Sequence, residues 1–447
     1  MSQAKSNKMG VVQLTILTMV NMMGSGIIML PTKLAEVGTI SIISWLVTAV
    51  GSMALAWAFA KCGMFSRKSG GMGGYAEYAF GKSGGMGGYA EYAFGKSGNF
   101  MANYTYGVSL LIANVAIAIS AVGYGTELLG ASLSPVQIGL ATIGVLWICT
   151  VANFGGARIT GQISSITVWG VIIPVVGLCI IGWFWFSPTL YVDSWNPHHA
   201  PFFSAVGSSI AMTLWAFLGL ESACANTDVV ENPERNVPIA VLGGTLGAAV
   251  IYIVSTNVIA GIVPNMELAN STALFGLAFA QMFTPEVGKV IMALMVMSCC
   301  GSLLGWQFTI AQVFKSSSDE GYFPKIFSRV TKVDAPVQGM LTIVIIQSGL
   351  ALMTISPSLN SQFNVLVNLA VVTNIIPYIL SMAALVIIQK VANVPPSKAK
   401  VANFVAFVGA MYSFYALYSS GEEAMLYGSI VTFLGWTLYG LVSPRFG

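Results

Sequence analysis

VNMMGSGIIMLP, residues 20–31, places three adjacent small residues, Gly24, Ser25 and Gly26, half-way along an apolar run. Membrane helices that pack closely through small residues typically space them as small-xxx-small, whereas here they are contiguous. An interrupted helix exposes backbone N–H and C=O groups that lipid cannot satisfy, so these groups must line a cavity inside the protein. The stretch therefore predicts a discontinuous membrane helix.

A second interruption occurs in LWAFLGLESACA, residues 214–225, where Gly219 and Glu221 lie half-way along another apolar run. The two interrupted runs are the first and the sixth of the chain, so they begin two consecutive sets of five. Glycine-interrupted segments at corresponding positions of two halves are the best sequence indication of a transporter site. The N-terminus of a half-helix attracts anions, and its C-terminus attracts cations.

The composition is that of a polytopic, all-α membrane protein. Of 447 residues, 56% are hydrophobic and 8% are charged, whereas soluble domains carry about 25% charged residues. Apolar runs of about 20 residues recur along the chain, which favours spanning helices over the alternating strands of a membrane barrel. Twelve spans are predicted, numbered in order, over residues 10–32, 39–61, 99–126, 136–154, 163–187, 203–226, 237–263, 285–314, 337–356, 363–389, 401–419 and 425–443.

The basic residues predict the orientation of these spans. With twelve spans, all lysines and arginines except Lys33 and Lys289 fall on the side of the N-terminus. Cytoplasmic loops carry the excess of basic residues, so residues 1–9 and the C-terminus are both expected in the cytoplasm. The expected surroundings of these spans are a lipid bilayer. The basic residues form no separate patch, which gives no support to nucleic-acid binding.

The segment KSGGMGGYAEYAFG occurs twice without change, at residues 68–81 and 82–95. Structural repeats usually diverge and number three or more, so this is a tandem duplication rather than a repeat architecture. It falls in the first cytoplasmic loop, where added length is tolerable. One copy is expected to pack near the cytoplasmic mouth, and the sequence leaves open which one.

Glu221 is the one acidic residue of sixteen that lies well inside a predicted span. A charge at that depth costs about 2.5–3.5 kcal/mol on insertion scales. No lysine or arginine lies at a matching depth, so its partner is expected to be a proton or a transported cation. The alternative is a protonated, hydrogen-bonded glutamate with a structural role, and the two roles overlap because a substrate-binding carboxylate can also titrate.

Enzyme chemistry finds little support in the sequence. The six cysteines show no metal-ligand spacing and are interpreted as small packing residues. His198 and His199 fall in an outer loop without acidic neighbours and are interpreted as surface residues. We therefore expect no metal, no cofactor and no catalytic constellation.

Four segments resemble the amino acid–polyamine–organocation superfamily, and within it the basic amino acid/polyamine antiporters: GSGI in span 1, WAFLGLESA in span 6, GGYAEYAFG after span 2 and DEGYFPKIF after span 8. The resemblance covers essentially the whole chain, although those proteins carry one copy of the GGYAEYAFG segment. It implies a five-plus-five inverted-repeat core over residues 10–389, with spans 11 and 12 appended at 401–443.

The resemblance also implies a substrate site between spans 1, 3, 6, 8 and 10. Backbone donors of Gly24, Ser25 and Gly26 would meet a carboxylate, and the break at Trp215, Ala216 and Gly219 would offer carbonyls to an ammonium group beside Glu221. Trp306 and Asn114 would line the pocket, unless the tryptophans are packing residues and Asn114 only bridges helices. Residues of a gate or path would be Cys62, Glu77, Glu91 and Tyr106, although a solvated loop charge is the commoner role for Glu77 or Glu91.

The activity that the resemblance implies is antiport of putrescine for ornithine across the bacterial inner membrane, with proton-linked putrescine uptake as a second mode. Both substrates keep two nitrogens separated by four carbons, so one cavity can hold both. A lysine–cadaverine or arginine–agmatine exchanger would share every motif, and a sodium-driven amino-acid symporter would share the broken helices. A channel or membrane-embedded sensor is a further alternative. The sequence does not decide whether the chain forms a homodimer.

Overall fold

The computed structural model describes residues 10–65, 85–221 and 231–446, and these ranges are helical without a β-strand. Within them, nine helices are long and apolar enough to cross a membrane, and three shorter apolar helices fall in spans 1, 6 and 9. The order and type of the predicted spans are confirmed. The helices are Val11–Gly26 with Leu30–Val37 (span 1), Ser41–Phe65 (2), Gly85–Leu129 (3), Pro135–Ala152 (4), Ala157–Thr167 with Trp169–Ile181 (5), Phe202–Ser208 with Ile210–Trp215 (6), Pro233–Ile262 (7), Pro285–Asp319 (8), Val337–Met353 (9), Leu359–Val391 (10), Pro396–Ser419 (11) and Glu422–Val442 (12).

A helical segment that the sequence does not predict precedes the predicted start of span 3. The helix begins at Gly85, inside the second copy of the duplicated segment, and bends at Gly95, whose φ is 66°. A positive φ is accessible to glycine at little steric cost, so the helical segment before Gly95 can change direction there. The prediction followed the apolar run alone, which does not include this polar helical segment.

Span 1 is broken as predicted. Its first helix ends at Gly26, residues 27–29 form a turn, and a second helix begins at Leu30. Pro31 lies in the first turn of that second helix, where its missing N–H costs nothing. The Ile28 carbonyl, which the break removes from the helical pattern, accepts a hydrogen bond from the Tyr124 hydroxyl of span 3 at 3.0 Å.

In span 6 the first helical part ends where the sequence predicts a break. Its helix ends at Trp215, turns follow at residues 216–219, and Gly219 has a φ of 101°. The Ala216 carbonyl accepts a hydrogen bond from the Tyr252 hydroxyl of span 7 at 2.8 Å. The Tyr252 ring stacks on Trp45 of span 2, with ring centroids 5.7 Å apart.

The two breaks lie against each other. A Cβ atom added at Gly26 would lie 3.3 Å from both the Cα and the carbonyl oxygen of Ala216, and one at Gly24 would lie 2.9 Å from the Ser302 Oγ of span 8. The GSG stretch therefore both ends a helix and permits a close approach of backbones. Its small residues serve the helix interruption and the close packing together.

Spans 11 and 12 pack on the periphery. Span 11 contacts spans 2 and 10, and its Tyr412 hydroxyl donates to Thr48 at 2.9 Å. Span 12 contacts spans 3 and 10, and its Val431 carbonyl accepts from the Tyr104 hydroxyl at 2.9 Å. The inverted-repeat relation of spans 1–5 to spans 6–10 stays a prediction.

Candidate functional site

A cavity of about 540 Å³, a volume that includes the space where it opens outward, lies beside the two breaks. Spans 1, 3, 6, 8 and 10 all contribute to its lining, which is the set of spans that the resemblance implies. Seven residues of the predicted site or path line it together: Gly26, Tyr106, Asn114, Trp215, Gly219, Glu221 and Trp306. The remaining lining residues are Met22, Ser109, Leu110, Ala113, Ile117, Leu218 and Asn374.

Glu221 is buried, and both of its carboxylate oxygens are hydrogen-bond acceptors. The Tyr106 hydroxyl of span 3 donates to Oε1 at 2.6 Å, and the Tyr378 hydroxyl of span 10 donates to Oε2. Among the described residues no lysine or arginine forms an ion pair with this carboxylate. Hydroxyl groups orient the carboxylate but do not neutralise it, so a mobile cation or a proton can still do so.

Asn114 lies on span 3 among the lining residues, and its side chain is fully buried. Its Nδ2 donates to Gln307 Oε1 of span 8 at 2.8 Å, whereas its Oδ1 has no hydrogen-bond partner among the described residues. Gln307 follows Trp306, which lines the cavity, so one turn of span 8 supplies both an aromatic wall and the partner of Asn114.

Trp215 closes another side of the cavity. Its ring meets Phe363 of span 10 edge-on, with centroids 6.3 Å apart and planes at 87°. Its Nε1 is buried without a hydrogen-bond partner among the described residues. The cavity therefore combines aromatic faces and a donor with the Asn114 acceptor and the Glu221 carboxylate, a set that suits a flexible ligand bearing ammonium groups.

Several predicted residues lie away from this lining. Gly24 faces Ser302, and the Ala216 carbonyl already accepts from Tyr252. Cys62 is buried and its thiol approaches the Ser381 carbonyl at 3.8 Å. Glu77 lies outside the described residues, and so does the side chain of Ser25.

The second copy of the duplicated segment is the one that the structure describes, over residues 85–95. Its Tyr89 is buried, and a Cβ atom at Gly87 would lie 2.6 Å from the Asn103 amide of the same bent helix. Glu91 is part of this helix rather than of a solvated loop, and its Oε2 accepts from Asn99 Nδ2 at 2.8 Å. Neither Tyr89 nor Glu91 lines the cavity.

The sequence analysis identified neither the polar lining residues Ser109 and Asn374 nor the hydrogen-bond partners Tyr378 and Gln307 of Glu221 and Asn114. Tyr378 and Gln307 lie in strongly apolar spans, where a single tyrosine or glutamine resembles ordinary packing or helix bridging. The described residues contain no group of three histidine, cysteine or acidic side chains arranged to hold a metal ion.

Comparison with known proteins places these features in context. The family model described as amino acid permease matches residues 9–441. The putrescine transporter PotE of Escherichia coli K12 is 97% identical over 446 residues, covering 100% of this chain and 98% of that protein. PotE of Haemophilus influenzae is 75% identical over 443 residues, covering 99% of each. The cadaverine/lysine antiporter of E. coli K12 is 31% identical over 429 residues, covering 93% of this chain and 90% of that protein.

Proposed function

The chain belongs to the amino acid permease family, and we propose that it exchanges putrescine for ornithine across the bacterial inner membrane. The observation that carries the proposal is the buried Glu221 carboxylate, which lines a cavity beside the breaks of spans 1 and 6 and forms no ion pair with a lysine or arginine among the described residues. The likeness to proteins named putrescine transporters supports the choice of diamine.

One ammonium group of the substrate pairs with Glu221 in this proposal. The aromatic faces of Trp306 and Trp215 add about 0.5–2 kcal/mol of cation–π attraction in this proposal. The second ammonium group donates to Asn114 Oδ1, the acceptor that has no partner among the described residues. The carboxylate of ornithine is expected to meet backbone N–H groups of the span 1 break.

Binding also gives a physical link to alternating access. An ammonium group at Glu221 competes with the hydroxyls of Tyr106 and Tyr378 for the same two oxygens. These hydroxyls connect span 6 to spans 3 and 10, so the competition weakens the contacts between the helices that must move. A proton at Glu221 would act in the same way, which supports a proton-linked uptake mode.

The orientation is part of the proposal. Because the predicted cytoplasmic side carries all lysines and arginines except Lys33 and Lys289, we place both termini in the cytoplasm. Ornithine then enters from the outer side as putrescine leaves, or the reverse, according to the two gradients.

The test is labelled-putrescine counterflow in proteoliposomes with Glu221→Gln. We expect the apparent affinity for putrescine to fall about tenfold to a hundredfold, as for loss of a hydrogen bond to a charged group. In the unmodified chain, affinity should also fall as pH is lowered, because a protonated carboxyl no longer attracts the cation. In the variant this pH dependence should flatten.

The matched control is Glu127→Gln, which changes an exposed carboxylate away from the cavity and should leave exchange unchanged. Near-normal exchange by Glu221→Gln at both low and saturating putrescine would contradict the proposed role. Competition by a panel of ornithine, lysine, cadaverine, arginine and agmatine separates the related exchangers. Dependence of uptake on sodium, or current without counter-substrate, would favour a symporter or a channel.

A further inference from the structure

Beyond the cavity wall lies a chain of buried amides that the proposed function does not use. Gln307 and Gln347, on spans 8 and 9, form a reciprocal pair, with Gln307 Nε2 donating to Gln347 Oε1 at 2.6 Å and Gln347 Nε2 donating back at 2.8 Å. Gln307 Oε1 also accepts from Asn114 Nδ2. Gln347 is fully buried and does not line the cavity.

The contacts of Gln347 and Gln307 with groups away from the cavity determine which way their amide groups point. Gln347 Nε2 also donates to the Leu111 backbone carbonyl at 3.3 Å, and Gln307 Nε2 reaches the Thr150 hydroxyl at the same distance. Thr150 itself donates to the Leu146 carbonyl, so its oxygen is available to Gln307 as an acceptor. A backbone carbonyl can only accept, so Gln347 must turn its nitrogen toward Leu111.

The orientation of the Gln347 amide then determines the orientation of the Gln307 amide, and that in turn determines the orientation of the Asn114 amide. With its nitrogen at Leu111 and Gln307 Oε1, Gln347 offers its oxygen to Gln307 Nε2, and Gln307 offers its own oxygen to Asn114. Asn114 must therefore donate through its nitrogen, which leaves Oδ1 as its atom without a partner among the described residues. Reversing Asn114 alone would bring two oxygens together and leave polar groups unsatisfied inside the membrane, which is costly.

We propose that Gln307 and Gln347 are positioning residues for substrate selectivity: they hold Asn114 so that an acceptor, not a donor, meets the second ammonium group of a diamine. This inference rests on the proposed function. An amide nitrogen at the same place would meet an ammonium group donor to donor and would disfavour it.

The experiment compares competition against labelled putrescine by putrescine and by 1-butylamine, which has the same four carbons and one ammonium group. The ratio of the two inhibition constants measures the preference for a diamine. In Gln347→Met we expect that preference to fall about tenfold, chiefly through weaker putrescine binding, because Asn114 is free to turn. Asn114→Ala should lower it to a similar extent.

A double variant separates positioning from a general structural role. If Gln347 acts through Asn114, Gln347→Met should lower the preference no further in an Asn114→Ala background. Gln362→Met is the matched control, since Gln362 is equally buried and donates to the Ala351 carbonyl and to Thr354 without touching the cavity network. Its loss should leave the diamine preference unchanged.

The outcomes are distinct. An unchanged preference in Gln347→Met, an additive loss in the double variant, or an equal loss in Gln362→Met would each overturn the inference. Gln307→Met removes the direct partner of Asn114 and decides the question if Gln347→Met does not fold. If the unmodified chain binds putrescine no better than 1-butylamine, the proposed function fails and the inference falls with it.

Discussion

At the scale of single residues, Gly219 has the positive φ at which the chain turns just before Glu221. Its φ of 101° lies in the region that side chains with a Cβ rarely adopt. We expect Gly219→Ala to destabilise the protein by about 1–2 kcal/mol and to weaken putrescine binding, since the Glu221 carboxylate would shift relative to its tyrosines. Thermal unfolding in detergent and putrescine competition measure the two effects.

The control for this change is Gly144→Ala. Gly144 is exposed in the regular helix of span 4, with no atom within 4 Å of an added Cβ. Alanine is the better helix former, so this variant should be neutral or slightly stabilised. Equal unfolding temperatures and equal affinities in Gly219→Ala and Gly144→Ala would show that the turn does not need glycine.

The sequence could predict Glu221 but not its two partners. A carboxylate inside an apolar run is visible without coordinates, because its insertion cost is high enough to require a reason. Tyr106 and Tyr378 lie 115 and 157 positions away along the chain, and their hydroxyls become partners only when spans 3 and 10 pack beside span 6. Tyr106 was found through the family resemblance, and Tyr378 was not found.

At the scale of elements, each break is held by a tyrosine hydroxyl from a neighbouring span. We expect Tyr252→Phe to lower the free energy of unfolding by about 1–3 kcal/mol, because the Ala216 carbonyl is then left without its donor. The substitution keeps the aromatic ring that packs on Trp45 and Phe217, so it isolates the hydroxyl. Thermal unfolding in detergent measures the loss.

Tyr418→Phe is the matched control, since the Tyr418 side chain is largely exposed on span 11. It should leave stability unchanged. If Tyr252→Phe unfolds at the same temperature as this control, the Ala216 carbonyl has another hydrogen-bond donor. The Tyr252 hydroxyl is then not needed for stability.

The spans themselves were largely predictable, because each must present a continuous apolar run to lipid. The breaks were predictable too, since contiguous small residues cannot serve as a regular packing stripe. What hydropathy could not supply is the polar helix at residues 85–95, whose formation depends on packing of Tyr89 and on the bend at Gly95.

At the scale of the whole molecule, the described part of the duplicated segment, residues 85–95, contributes no residue to the cavity lining. Because the two copies are identical, deleting residues 68–81 or residues 82–95 gives the same shorter chain. We expect that chain to keep the putrescine affinity and diamine preference of the longer one, since neither Tyr89 nor Glu91 contributes to the lining. Parallel counterflow measurements on both chains test this.

A change in affinity on deletion, with unchanged protein stability, would instead connect the cytoplasmic segment to the cavity. Gly87→Val in the longer chain is a useful companion, because its side chain would collide with the Asn103 amide. Gly87→Val should disturb the packing of residues 85–95, whereas the deletion leaves one intact copy of this segment.

The hydroxyls of Tyr124 and Tyr252 each satisfy one carbonyl at a break, Ile28 and Ala216, so these two carbonyls need no substrate as a hydrogen-bond donor. The empty protein and the substrate-bound protein then have the same backbone conformation at the two breaks. The return step of the transport cycle therefore does not require a helix to re-form. Turnover should consequently lack the steep temperature dependence of local unfolding and be paced by the reorientation of intact helices.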